Sequence, residues 1–174
     1  MKPKFITAEL WLDTEDRGGR KLRIERLKWL ESLTPITSWQ VFPGGWMARA
    51  LFEEARYCFA YGQFVASIAL AFAYIERTLA GMLYAAGDDT ARRANISQLV
   101  DSAVAKGWLT DEERDEIDVA RGARNPMLHY RELVAEDSVE NRVLNGQQAP
   151  YDLIESDARH VLRIAFSLLT RNSA

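Results

Sequence analysis

The chain has 174 residues, of which 48% are hydrophobic and 27% charged, a balance that suits one globular unit with a proper core. Its formal net charge of −3 gives no overall attraction to nucleic acid, so RNA contact requires a local basic patch or an interface that gathers cations. A lone cysteine, Cys58, excludes an internal disulfide, and with only two histidines it cannot complete a tetrahedral zinc site, so neither metal nor cofactor is expected.

Residues 1–46 read as an N-terminal extension packed on a helical domain over residues 47–174. The start, Met1-Lys2-Pro3-Lys4-Phe5, leads into acidic residues instead of an apolar stretch, so no secretory signal is expected. With Cys58 read on the buried side of a helix, this points to a cytoplasmic location. Arg17 to Lys28 holds six basic residues and one acidic one, and four of the five tryptophans (Trp11, Trp29, Trp39, Trp46) lie in the extension. Cations interleaved with aromatics suit single-stranded nucleic acid. The better-supported reading is an amphipathic helix carrying Leu22, Leu27, Leu30 and Leu33, fastened to the bundle by its tryptophans. Nothing between Leu33 and Trp46 reads as a flexible linker.

Ala48, Leu51, Phe52, Ala55, Cys58 and Phe59 recur at three- and four-residue steps, the pattern of a helix with one buried face, and Gly62 ends it. Phe64 to Ala86 is long enough to span a bilayer, but Glu76 and Arg77 interrupt it near the middle. It reads as the central helix of a bundle, with no membrane partner. Asn95 caps a helix through about Lys106, stopped by Gly107. Thr110 and Glu113 form a capping box for the next, whose inward positions are Ile117, Ala120 and Ala123. Val134 to Tyr151 reads as an irregular loop, and Ser156-Asp157 starts a last helix with Val161, Leu162, Ala165, Leu168 and Leu169 facing the core.

The stretch from Ala120 to Arg131 places Arg124, Asn125 and His129 in one short window. Arg124 is a permanent cation with a fork of donors suited to phosphate, and His129 exchanges a proton near neutral pH. Asn125-Pro126 is expected to end one helix near Arg124 and start another segment. Such a break matters, because residues five apart in an unbroken helix point about 140° apart. Arg124-Asn125-Pro126-Met127-Leu128-His129 resembles the arginine, four residues, histidine signature of the HEPN domains, small all-helical bundles in which the residue after the arginine is typically polar. Gly62 to Leu79, a glycine-led apolar helix carrying Glu76, resembles the second helix of such domains. The resemblance spans roughly residues 47–171.

It implies an all-α, HEPN-like helical bundle of four to five helices with an N-terminal extension. It further implies a metal-independent endoribonuclease of toxin or defence type. There His129 is general acid or base, Arg124 steadies charge on the phosphate, and Asn125 orients one of them. Sites of this family lie across a two-fold interface, so a homodimer is implied, with single-stranded RNA as substrate and an antitoxin or regulatory protein as partner. Supporting roles fall to Glu76, expected to pair with Arg124 or Arg121, and to Tyr130 and Arg131. Two alternatives stand beside this: Arg124 and Glu76 as a purely structural pair, and a non-catalytic dimeric module that binds nucleotide, RNA or protein. His160, on the last helix, reads as a boundary residue, and no phosphate loop, nucleophile elbow or paired carboxylates compete with Arg124 and His129.

Overall fold

A computed structural model describes residues 7–34 and 40–172, and the regular elements among them are helical. In chain order they are α1 (Ala8–Leu33), α2 (Gly45–Ala60), α3 (Phe64–Ala85), a 3-10 turn (Asp89–Arg92), α4 (Ile96–Ala105), α5 (Asp111–Leu128), α6 (Val139–Gly146) and α7 (Pro150–Arg171). The protein is all-α. Met1–Phe5 lie outside the described residues, as do residues 35–39, Trp39 among them, in the segment between Leu33 and Trp46 that reads as no linker.

Helix α3 is apolar nearly all round because α2, α4, α5 and α7 all pack against it. By length and composition alone it would cross a membrane, yet half of its most apolar window is buried inside the protein. The buried Ser67 hydroxyl donates to the Ala55 carbonyl at 2.9 Å, tying α3 to α2. On the α2 side, Phe52 meets Tyr74 at 5.0 Å and Phe166 at 4.9 Å between ring centroids, so one aromatic cluster joins α2, α3 and α7. Full burial of each such ring stabilises the fold by about 1.5–3 kcal/mol. Gly81 lets the chain before α2 lie directly on α3, since a Cβ there would meet the Pro43 carbonyl oxygen at 2.5 Å. Arg77 donates to the Gly44 carbonyl at 2.9 Å and holds that crossing, so the charge at the middle of α3 has a structural task.

The capping residues read from the sequence form the expected boxes: Asn95 with Gln98 and Thr110 with Glu113. Three expectations need correction. The stretch 134–151 is not all loop: the Ser138 hydroxyl accepts from Asn141 N–H at 3.0 Å and starts α6, which ends where Gln147 takes φ +48°. Helix α7 begins at Pro150, not at Ser156, because a proline at the first helical position loses no hydrogen bond and already has a helical φ. And α5 does not break at Asn125-Pro126. Pro126 sits inside its last turn, where its missing N–H forfeits one hydrogen bond, to the Gly122 carbonyl, and the helix nonetheless runs on to Leu128.

The extension departs further from expectation. Leu30 is buried, and Trp29 packs on Phe59 at 4.9 Å beneath Arg159, but Leu22 and Leu27 are exposed and every residue from Ala8 to Gly18 faces solvent. Trp11 and Trp46 are exposed too, so Trp29 is the one described tryptophan of the extension that fastens it. The reason is length. At 26 residues against 16, α1 is about 15 Å longer than the helix it packs on, and its N-terminal half has nothing to cover it. Cys58 is half-buried instead of buried, and burial with the nearby Glu54 carboxylate raises its thiol pKa.

Candidate functional site

The end of α5 presents the residues singled out from the sequence. Ile117, Ala120 and Ala123 are buried and set the helix on the core, which fixes the directions of the side chains between them. Arg124 is half-buried with its guanidinium 5.8 Å from the centre of the Phe72 ring on α3. Its Nη1 donates to Asn125 Oδ1 at 3.1 Å, and its Nε is buried with no hydrogen-bond partner. Asn125 therefore does touch Arg124, orienting it along the helix end.

The expected pairing of Glu76 with Arg124 or Arg121 is not formed. Among the described residues Glu76 makes no ion pair or hydrogen bond, and it stands one turn beyond Phe72, the ring that Arg124 covers instead. Glu76 is only partly buried, so water can solvate its carboxylate and the demand for a cation weakens. Arg121 is turned elsewhere: it donates to Ser97 Oγ at 2.5 Å and pairs with Asp118 at 3.0 Å, which braces α5 on α4.

His129 is the C-cap of α5, with extended backbone (φ −126°, ψ 135°) and its N–H bonded to the Asn125 carbonyl at 2.9 Å. Its imidazole is exposed and has no side-chain partner among the described residues. Tyr130 is 86% exposed. Arg131 Nε pairs with Asp137 at 3.0 Å, so it shapes the loop leading to α6. Without a break in the helix, Arg124 is held against α3 while His129 sits at the helix end in solvent, and no hydrogen bond joins the two side chains among the described residues. A shallow apolar cleft of about 610 Å³ is lined by Phe64, Val65 and Ala69 of α3, by Tyr151 and Ile154 of α7, and by Leu128, the residue before His129; neither Arg124 nor His129 lines it.

His160 bonds through Nε2 to the Glu116 carbonyl at 3.0 Å, a contact between α7 and α5 at the edge of the core. No cluster of three or more His, Cys, Asp or Glu side chains among the described residues is arranged to hold a metal ion.

A second cationic surface lies between α1 and α2 and takes in Arg20 and Arg23 of the basic stretch Arg17 to Lys28. Arg56 lines a groove of about 600 Å³ there, with its guanidinium 5.6 Å from the Phe52 ring and 5.7 Å from Phe166. Its Nε is buried without a partner. Tyr57 and Tyr61 stack beside it at 4.5 Å and 24°, and the Tyr61 hydroxyl raises the Tyr57 phenol pKa through hydrogen bonding and charge. The signal was present in the sequence as an arginine in the apolar stripe of α2 followed by tyrosines four residues apart. The chain matches no protein-family model, no curated protein and no solved structure.

Proposed function

We propose that the protein is a HEPN-like, metal-independent endoribonuclease of toxin or defence type that works as a homodimer on single-stranded RNA, in the cytoplasm, under the control of an antitoxin or regulatory protein. One observation supports this reading: among the described residues Arg124 has no acidic partner, so its charge remains available to a phosphate, and a histidine without a side-chain partner there stands at the end of the same helix. In the reaction a ribose 2′-hydroxyl gives its proton to a neutral His129 and attacks the adjacent phosphorus. The bond from phosphorus to the 5′-oxygen breaks, and that oxygen takes a proton from the protonated His129 of the second protomer, leaving a cyclic phosphate and a free 5′-hydroxyl. Arg124, oriented by Asn125, offsets the charge that builds on the phosphate oxygens. Tyr130 is free to contact the RNA backbone or the second protomer, and Arg131 holds the loop beside it.

A second reading has its own support. The unbroken α5 keeps Arg124 and His129 apart within one protomer, which favours a non-catalytic dimeric module that binds nucleotide, RNA or protein. Mixed RNA incubated with pure protein in chelator separates the two. Cleavage that falls about 10²- to 10⁴-fold in His129→Ala is the outcome expected of the nuclease. Cleavage that persists in that variant, or that stops with chelator, contradicts it.

A further inference from the structure

We infer that the groove between α1 and α2 is a docking track for single-stranded RNA, in which Arg20 and Arg56 take phosphates and the Tyr57–Tyr61 pair takes a base. The inference rests on the nuclease reading only for its destination. Of the charged groups in the groove, Asp16 is answered by Arg23 at 3.1 Å and Glu53 by Arg49 at 2.7 Å. Arg20 and Arg56 have no carboxylate or hydrogen-bond partner among the described residues, so the uncompensated charge of the groove is positive although the chain as a whole is acidic. Arg56 is partly withdrawn from water against two rings, where a cation without a counter-charge is costly, and a phosphate entering the groove would supply one.

The tyrosines add the second half of the recognition. They are 60% and 48% exposed, stacked on each other, with the Arg23 guanidinium 5.1 Å from the Tyr61 ring. A flat aromatic surface that shares its groove with the unpaired Arg20 and Arg56 matches a strand whose bases are free to stack, whereas a duplex hides its base faces. The groove ends at Tyr61, and the apolar cleft begins at Gly62, across the turn that joins α2 to α3. Arg26 lies over that turn, 4.8 Å from the Phe64 ring. The cleft in turn reaches Leu128, the neighbour of His129.

A fluorescent 12-nucleotide RNA carrying 2′-O-methyl groups tests this, because the blocked hydroxyl cannot attack and binding is read without cleavage. The native protein is expected to bind it and to bind its duplex at least tenfold more weakly. Tyr61→Ala and Arg20→Glu, both at exposed positions, are each expected to weaken single-strand binding about tenfold with thermal stability unchanged. Arg56→Met, in which the packing against Phe52 is also altered, serves as a third variant read only if its melting temperature is retained. No binding by the native protein, equal binding of the duplex, or undiminished binding in Tyr61→Ala and Arg20→Glu would each overturn the inference. The unblocked 12-mer, incubated in parallel, reports the nuclease reading separately: RNA that is cut while groove variants bind normally leaves the nuclease standing and removes the track.

Discussion

The arginines of this bundle fall into two groups that share a residue type and little else. On the α6–α7 flank Arg142 forms a bidentate pair with Asp157 at 2.8 and 2.9 Å, and Glu155 answers both Arg26 and Arg159. The Asp157 carboxylate, by bonding and charge, raises the Arg142 pKa above the ordinary arginine value. At the end of α5 and in α2, Arg124 and Arg56 lie against rings with their Nε atoms buried, and neither forms an ion pair among the described residues. A paired guanidinium is satisfied by the fold and has nothing to offer a ligand. An unpaired one retains its charge and its donors, and in a protein of net charge −3 these are the places where an anion gains most.

The largest expected effect lies on the paired side. Asp157→Ala leaves Arg142 without its partner and should destabilise the fold by about 2–3 kcal/mol in denaturant titration, less than for a fully buried pair because Arg142 is partly exposed. A loss under about 0.5 kcal/mol would erase the distinction between the groups. Next comes an unpaired group of another kind. The Tyr74 hydroxyl is buried and makes no hydrogen bond of ordinary geometry among the described residues, and its burial, only partly offset by the nearby Thr78 hydroxyl, pushes its pKa up to about 12. The unfolded chain, titrating near the usual value of about 10, loses its proton first, so stability falls as pH rises between the two values, by up to about 2–3 kcal/mol. Tyr74→Phe should remove that component of the alkaline loss; an unchanged alkaline limb would show the phenol to be solvated.

The smallest effect belongs to the unpaired arginines. Arg124→Met keeps the contact with Phe72 and deletes an unanswered charge, so its stability should stay within about 1 kcal/mol of the native protein. A loss of several kcal/mol would reveal a hidden acidic partner and move Arg124 into the structural group.

Much of the helical order was legible because it depends on local chemistry. Asn95 and Thr110 start helices through their own side chains, Gly62 and Gly107 take the positive φ that ends or follows them, and the spacing of Val161, Leu162 and Ala165 marks a buried stripe. What failed depended on neighbours. Pro126 reads as a breaker, yet the helix absorbs the loss of one hydrogen bond and continues for two residues past it. Asn145-Gly146 and Pro150 looked like loop signals, yet they end α6 and open α7. Leu22 and Leu27 carry a helical pattern that no partner covers, since the reach of α2 is not written in α1. At the candidate site, the contact of Arg124 with Asn125 follows from adjacency, whereas its choice of Phe72 over Glu76 depends on how α5 crosses α3.

A mixing experiment tests the shared site most directly. Native and His129→Ala proteins are mixed in equal amounts, unfolded together, refolded and assayed on single-stranded RNA in chelator. If each cut needs His129 from both protomers, only dimers of two native protomers should be active, so activity should fall to about one quarter of that of the same total amount of native protein. Activity of about one half would show that each protomer cuts by itself and that the two His129 side chains do not act together across a two-fold axis.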